Sequence, residues 1–249
     1  MDRSWVGLLA LAVAGCVMTV AGCGGPSKAE RDAAASARVR AAQARTVAAQ
    51  AGLGPDVQSF LARAAGASDV TATVVYDQGE GQTTTVMSRA PDRRIDIDGA
   101  AGPGTKDRLV IRGTETFVCH LNGARWACLS GVRSAPTGPF TPDAVSATIA
   151  SLAQLSQTYD FTVSHRPIVG LDASCLAADR KPTASSATDD KIGSHAVICI
   201  APSGVLLLVE DSGHPLTATS YRPSVPSGAF TLPARPTPAT SGSGAAPTP

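Results

Sequence analysis

From Val70 onward the hydrophobic pattern changes to a period of two. Val70, Ala72, Val74 and Tyr76 alternate with Thr71 and Thr73, and Ile95 and Ile97 alternate with Arg94, Asp96 and Asp98. A period of two belongs to a strand with one buried face, so these runs read as half-buried strands. Turn-forming residues separate the runs at Gln78 to Gly81, Gly99 to Gly104, Asn122-Gly123, Pro202-Ser203-Gly204 and Ser212-Gly213, the spacing of an antiparallel meander. Strands are predicted at 69–77, 82–89, 93–98, 107–112, 115–121, 126–130, 159–165, 171–177, 195–201, 204–210 and 216–222. The 43% apolar content, with 24 Gly and 18 Pro, supplies a core and its turns, and excludes collagen, coiled coil and a wholly disordered chain. Once the two terminal segments are set aside, about one domain remains.

Helical periodicity occurs in three places. Val57, Phe60, Leu61, Ala64 and Ala65 form one stripe behind Pro55, which suits a first helical position. Thr141 as cap, then Pro142 and Asp143, open a second helix whose Val145, Ile149, Leu152 and Leu155 share a face. This helix, to residue 157, is expected to lie across the sheet. Lys28 to Gln50 is Ala-rich and helix-forming, with Lys28, Arg31, Arg38, Arg40 and Arg45 against Glu30 and Asp32. It is read as mainly solvated, either a spacer or a basic segment lying near an anionic leaflet. Residues 233–249 lack side chains that could offset ordering entropy, and are expected to be a disordered tail.

The N-terminus decides location. No residue from Trp5 to Gly22 is charged, and Val20-Ala21-Gly22-Cys23 then places small residues before a cysteine. This resembles the lipobox of bacterial lipoproteins, and the resemblance implies cleavage after residue 22 and acylation of Cys23. Val13-Ala14-Gly15-Cys16 is a competing site that leaves a shorter apolar core and a greasy new terminus; an uncleaved anchor is a further alternative. All three put the folded part outside the cytoplasm, on the cell membrane. The chain divides accordingly into a leader (1–22), an anchored linker with the Ala-rich helix (23–54), a domain (55–232) and a tail (233–249). A net charge of +1 gives no field that would draw it to nucleic acid.

Cys119, Cys128, Cys175 and Cys199 remain once Cys16 and Cys23 are assigned. In an oxidising compartment they suggest two disulfides. Of three possible pairings, neighbourhood favours Cys119 with Cys128 and Cys175 with Cys199; buried free thiols are the alternative. Zinc is set aside because neither pair has CxxC spacing. A direct Cys119–Cys128 bond needs a register that a two-residue Asn122-Gly123 turn does not give, and a four-residue loop from Asn122 to Arg125 is expected.

The order of features is now informative: the lipobox, a short helix, a Phe117-Val118-Cys119 and Trp126-Ala127-Cys128 hairpin, an amphipathic helix, then Ser174-Cys175-Leu176, Val197-Ile198-Cys199, Pro202 to Glu210 and Leu216 to Pro233. The series resembles lipoproteins of the LolA/LolB and LppX/LprG-like superfamily, particularly four-cysteine members of high-GC Gram-positive bacteria. The likeness covers roughly Val57 to Leu232. It implies an α+β fold, a strongly curved antiparallel half-barrel covered by helices over an apolar cavity, and a lipid or other hydrophobic ligand. The in-phase residues Val74, Tyr76, Ile95, Ile97, Leu109, Ile111, Phe117 and Trp126 are candidate liners, with Ile149, Leu152 and Leu155 on the lid. Such residues line any core, so taken singly each is as well explained by packing.

Catalytic patterns are missing from the sequence. It holds no HExxH, GxSxG or Walker loop, and Gly79-Glu80-Gly81 sits between strands as a turn. His120, His165, His195 and His214 form no i, i+4 pair, and Asp96 to Gly99 lacks the other oxygen ligands of a calcium loop. Neither metal nor cofactor is expected. Arg89, Arg93 and Arg94 either steer an anionic headgroup or are ordinary outward positions. The reading is a non-enzymatic lipid-binding lipoprotein; the rivals are a surface lipoprotein with a filled core and a hydrolase.

Overall fold

The computed structural model describes residues 28–67, 70–99, 102–131, 155–182, 194–210 and 215–239. The leader, Cys23 and most of the 141–157 helix, including Ile149 and Leu152, lie outside the described residues. Two helices, α1 (Lys28–Gln50) and α2 (Pro55–Gly66), precede the strands. These are β1 (Ala72–Asp77), β2 (Thr83–Arg89), β3 (Asp92–Asp98), β4 (Lys106–Arg112), β5 (Glu115–Asn122) and β6 (Arg125–Ser130). After them come β7 (Tyr159–Ile168), β8 (Leu171–Arg180), β9 (His195–Ile200), β10 (Leu206–Glu210), β11 (Leu216–Arg222) and β12 (Pro236–Pro238).

All twelve strands form one open sheet in the order β12-β6-β5-β4-β3-β2-β1-β11-β10-β9-β8-β7. Two meanders, β1 to β6 and β7 to β11, are sewn together where β1 pairs antiparallel with β11. The sheet is strongly curved. Arg166 of β7 and Glu210 of β10, with two strands between them, come within 3.4 Å. Residues offset along β1–β11 and β9–β10 mark bulges, the device by which sheets bend.

Tight turns hold the register. Gly113-Thr114 and Gly123-Ala124 each join strands with two residues, the glycine at φ +59° in both, as the first central position of a mirror-image hairpin turn requires. The expected four-residue loop is therefore shorter. Asn122 pairs with Arg125, and the turn is Gly123-Ala124, one residue further on than the turn that would break the register. Cys119 still stands opposite Cys128, and Cys175 opposite Cys199, and both pairs are bonded.

Helix α1 departs from the expected solvated rod. Ala37, Ala44 and Ala48 are buried, the last two in one cluster with Leu53, Val57, Phe60 and Leu61 and with Leu176 and Ile200 of the sheet. Alanine offers little area, but its small size lets two helices approach closely, and propensity reading weighs only the area. Since Cys175 and Leu176 are neighbours in β8, this helical layer lies on the face opposite the Cys175–Cys199 bond.

The tail also differs at its start. Pro236–Pro238 pairs parallel with β6, and the Ala239 N–H donates to the Ser130 carbonyl at 2.9 Å. Backbone bonding to a sheet edge orders this stretch where side-chain burial does not. Among the described residues no helix is long and apolar enough to cross a membrane.

The turn before β10 leans on α2. At Gly204, φ is +85°, and a Cβ would stand 2.9 Å from the carbonyl carbon of Arg63. Gly204→Ala is expected to destabilise the protein by about 2–3 kcal/mol through backbone strain and displacement of α2, read as a lower urea midpoint at unchanged slope.

Candidate functional site: the apolar sheet face

Direct cross-strand pairing places Val74, Val86, Ile95, Leu109, Val118 and Leu129 side by side on β1 to β6. Paired residues share a face, so this is one unbroken apolar file about 24 Å wide at the usual strand spacing. Polar files run beside it. On one side stand Tyr76, Thr84, Ile97, Asp107 and His120, and on the other Ser88, Arg93, Ile111 and Thr116. The arrangement is an apolar band with hydrogen-bonding margins.

Several groups of those margins are paired within the protein. The Tyr76 hydroxyl donates to the Leu206 carbonyl at 2.7 Å, and burial pushes its pKa above the ordinary phenol value against a smaller opposing effect of Arg93. Gln78 Nε2 donates to Thr84 Oγ1 at 2.7 Å, Arg93 Nε donates to Ser88 Oγ at 3.1 Å, and His120 Nδ1 lies 2.7 Å from Asp107 Oδ1.

Of the predicted liners, Val74, Tyr76, Ile95 and Leu109 are buried in one cluster, with Ile97 and Ile111 packed against it. The same cluster contains Val86, Leu207, Leu208 and the Cys175–Cys199 bond, which were not among the expected liners. Phe117 and Trp126 are corrections. The Gly113-Thr114 turn sets Leu109 opposite Val118, so Phe117 stands opposite Val110 and faces the other way. There it packs with Val110, Ala229 and Phe230. Trp126 shares the parity of Cys128, and the Arg108 guanidinium lies 4.8 Å from its ring centroid. Leu155 is half-buried just ahead of β7.

The opposite face of β3 to β6 is organised by charge. Asp96, 3% exposed, accepts hydrogen bonds from Arg94 and Arg108, the Arg108 Nε bond being 2.7 Å. Burial would raise this carboxyl's pKa, yet the two guanidinium hydrogen bonds and charges outweigh it and hold it below the ordinary carboxylate range. Arg94 Nη1 also donates to the Ala229 carbonyl at 2.9 Å, and Arg89 stacks on Phe230 at 5.2 Å. The C-terminal segment is thus strapped across this face. Of Arg89, Arg93 and Arg94, only Arg93 shares a face with the apolar file. Among the described residues no group of three or more His, Cys, Asp or Glu is disposed to hold a metal ion.

No protein-family model and no curated protein matches the chain. Among solved structures, that of the Mycobacterium tuberculosis lipoprotein LppX is similar at 15% identity and a TM-score of 0.37, over 68% of this chain and 97% of that one.

Asp96→Asn removes the buried anion between two half-buried guanidinium groups and is expected to cost about 3 kcal/mol at neutral pH. Because the folded pKa is depressed, the wild-type advantage is full above the unfolded value of about 3.9 and is lost as pH falls through the lower folded value. Denaturant midpoints of the two proteins should converge over that acidic interval and stay apart at pH 7.

Proposed function

We propose that the protein is an extracytoplasmic lipoprotein, acylated at Cys23, whose sheet is a LolA-like half-barrel that holds a lipid or another hydrophobic molecule and performs no catalysis. The unbroken file from Val74 to Leu129 carries the reading. It supplies a continuous apolar lining on a curved support, where a long aliphatic chain would gain about 25 cal/mol for each Å² of its own surface taken out of water. The flanking Arg93, Asp107 and His120 give a polar headgroup partners at the margins. Chain-length discrimination is then limited to about 0.8 kcal/mol per CH₂, and selectivity rests on the headgroup.

Two disulfides fit the oxidising side of a membrane. Two or more acyl chains on Cys23 hold stably, whereas one is marginal.

The protein is to be purified from its membrane and weighed by native mass spectrometry. The expected mass is the chain from Cys23 with its acyl groups, plus a removable apolar ligand. Cys23→Ser is expected to lose the acyl mass and keep the ligand. A bare polypeptide that takes up no offered phospholipid or fatty acid would overturn the proposal.

A further inference from the structure

Helix α1 carries four of its five basic residues on one side. Taking 100° per residue, Lys28, Arg31, Arg38 and Arg45 fall within an arc of about 100°, and all four are exposed. The three arginines recur every seven residues, forming a row about 21 Å long at 1.5 Å per residue. Ala35, Ala42 and Ala49 lie among them and are exposed, and Val39, 56% exposed, borders the row. Asp32 stands at its edge, and Arg40 turns to the half-buried side.

The other side of α1 is not free. Ala37, Ala44 and Ala48 are buried, and Ala44 and Ala48 join the cluster that ties α2 to Leu176 and Ile200 of the sheet. The basic row is therefore rigidly coupled to the domain, unlike a charged segment on a loose stalk. It also begins close to the membrane on the reading above, because Lys28 follows Cys23 by five residues, a reach of at most about 17 Å.

We infer that the outward row Lys28, Arg31, Arg38 and Arg45 lies on anionic phospholipid headgroups of the membrane that holds Cys23, and so fixes the orientation of the whole domain on that surface. The inference rests on the proposed acylation. Charge complementarity selects the occupant. Each basic residue near an anionic leaflet is worth about fivefold in local surface partition, so loss of three is worth about a hundredfold. Small alanines between the arginines let the helix approach the headgroups, and Val39 reaches toward the acyl boundary.

The test uses the mature acylated chain with an environment-sensitive dye on Ala42→Cys, an exposed site between Arg38 and Arg45. It is reconstituted into vesicles of phosphatidylcholine alone or of equal parts phosphatidylcholine and phosphatidylglycerol. The protein should float with both, since the acyl groups hold it. The dye should report an apolar, quencher-protected setting only with phosphatidylglycerol, and lose it at high salt. It should also lose it in the triple variant Arg31→Gln, Arg38→Gln, Arg45→Gln, whose fold is checked by an unchanged thermal midpoint. An identical dye signal in both vesicles with normal flotation would overturn the inference and leave acylation standing. Failure to float with neutral vesicles, but salt-sensitive flotation with anionic ones that the triple variant lacks, would remove the acyl anchor and uphold the basic row. Flotation with neither would remove both.

Discussion

The pairing of Leu109 with Val118 across the Gly113-Thr114 turn decides which side chains face which way in half of the sheet. Strand side chains alternate, so a slip of one residue would exchange the apolar file for Arg108 and Asp96. Several features oppose that slip together. Two-residue turns admit one register each, with glycine at positive φ where the mirror-image geometry demands it. Two disulfides then staple directly opposed residues, one in each meander, at about 3 kcal/mol apiece by loop-closure entropy. The long-range join of β1 to β11 inherits its alignment from both sides.

Fixed parity gives the sheet two unlike faces. One bears the file from Val74 to Leu129, continuous with the cluster around Leu207, Leu208 and the Cys175–Cys199 bond. The other, over β2 to β6, bears the Arg94–Asp96–Arg108 group and the aromatic contacts of Phe117, Trp126 and Phe230. An aspartate between two arginines is expensive to bury alone, but each member satisfies the others, and Arg94 has a donor left for the Ala229 carbonyl. Charge thus closes one face with the chain's own C-terminal segment, while the apolar face is left to be covered by side chains and, in the proposed function, by a guest.

Most strands were legible because their signal is local. Alternation and turn residues place β4 at 106–112 and β11 at 216–222 within a residue of expectation. Cysteine pairing was legible for the same reason, each pair lying in adjacent strands. Face assignment was legible only in part. Phe117 and Leu109 are both large and apolar, and composition alone groups them, whereas the turn between their strands puts them on opposite sides. That turn was in the sequence, and counting outward from Gly113-Thr114 would have exchanged Phe117 for Val118. Trp126 needed the same count from Gly123-Ala124. The packing of α1 was less accessible, since a helix of alanines looks solvated until a close neighbour such as α2 is in place. The order of Pro236–Pro238 rests on backbone bonds to β6, for which no side-chain pattern exists.

The central claim is that the Val74 to Leu129 face contacts a hydrophobic ligand. Photocrosslinking with a diazirine-bearing fatty acid, followed by peptide mapping, addresses it most directly. Adducts on Val86, Ile95, Leu109 or Val118 that are competed away by unlabelled lipid are the result this account predicts. Adducts confined to the Val110, Phe117 and Phe230 side, or none that lipid competes, would contradict it.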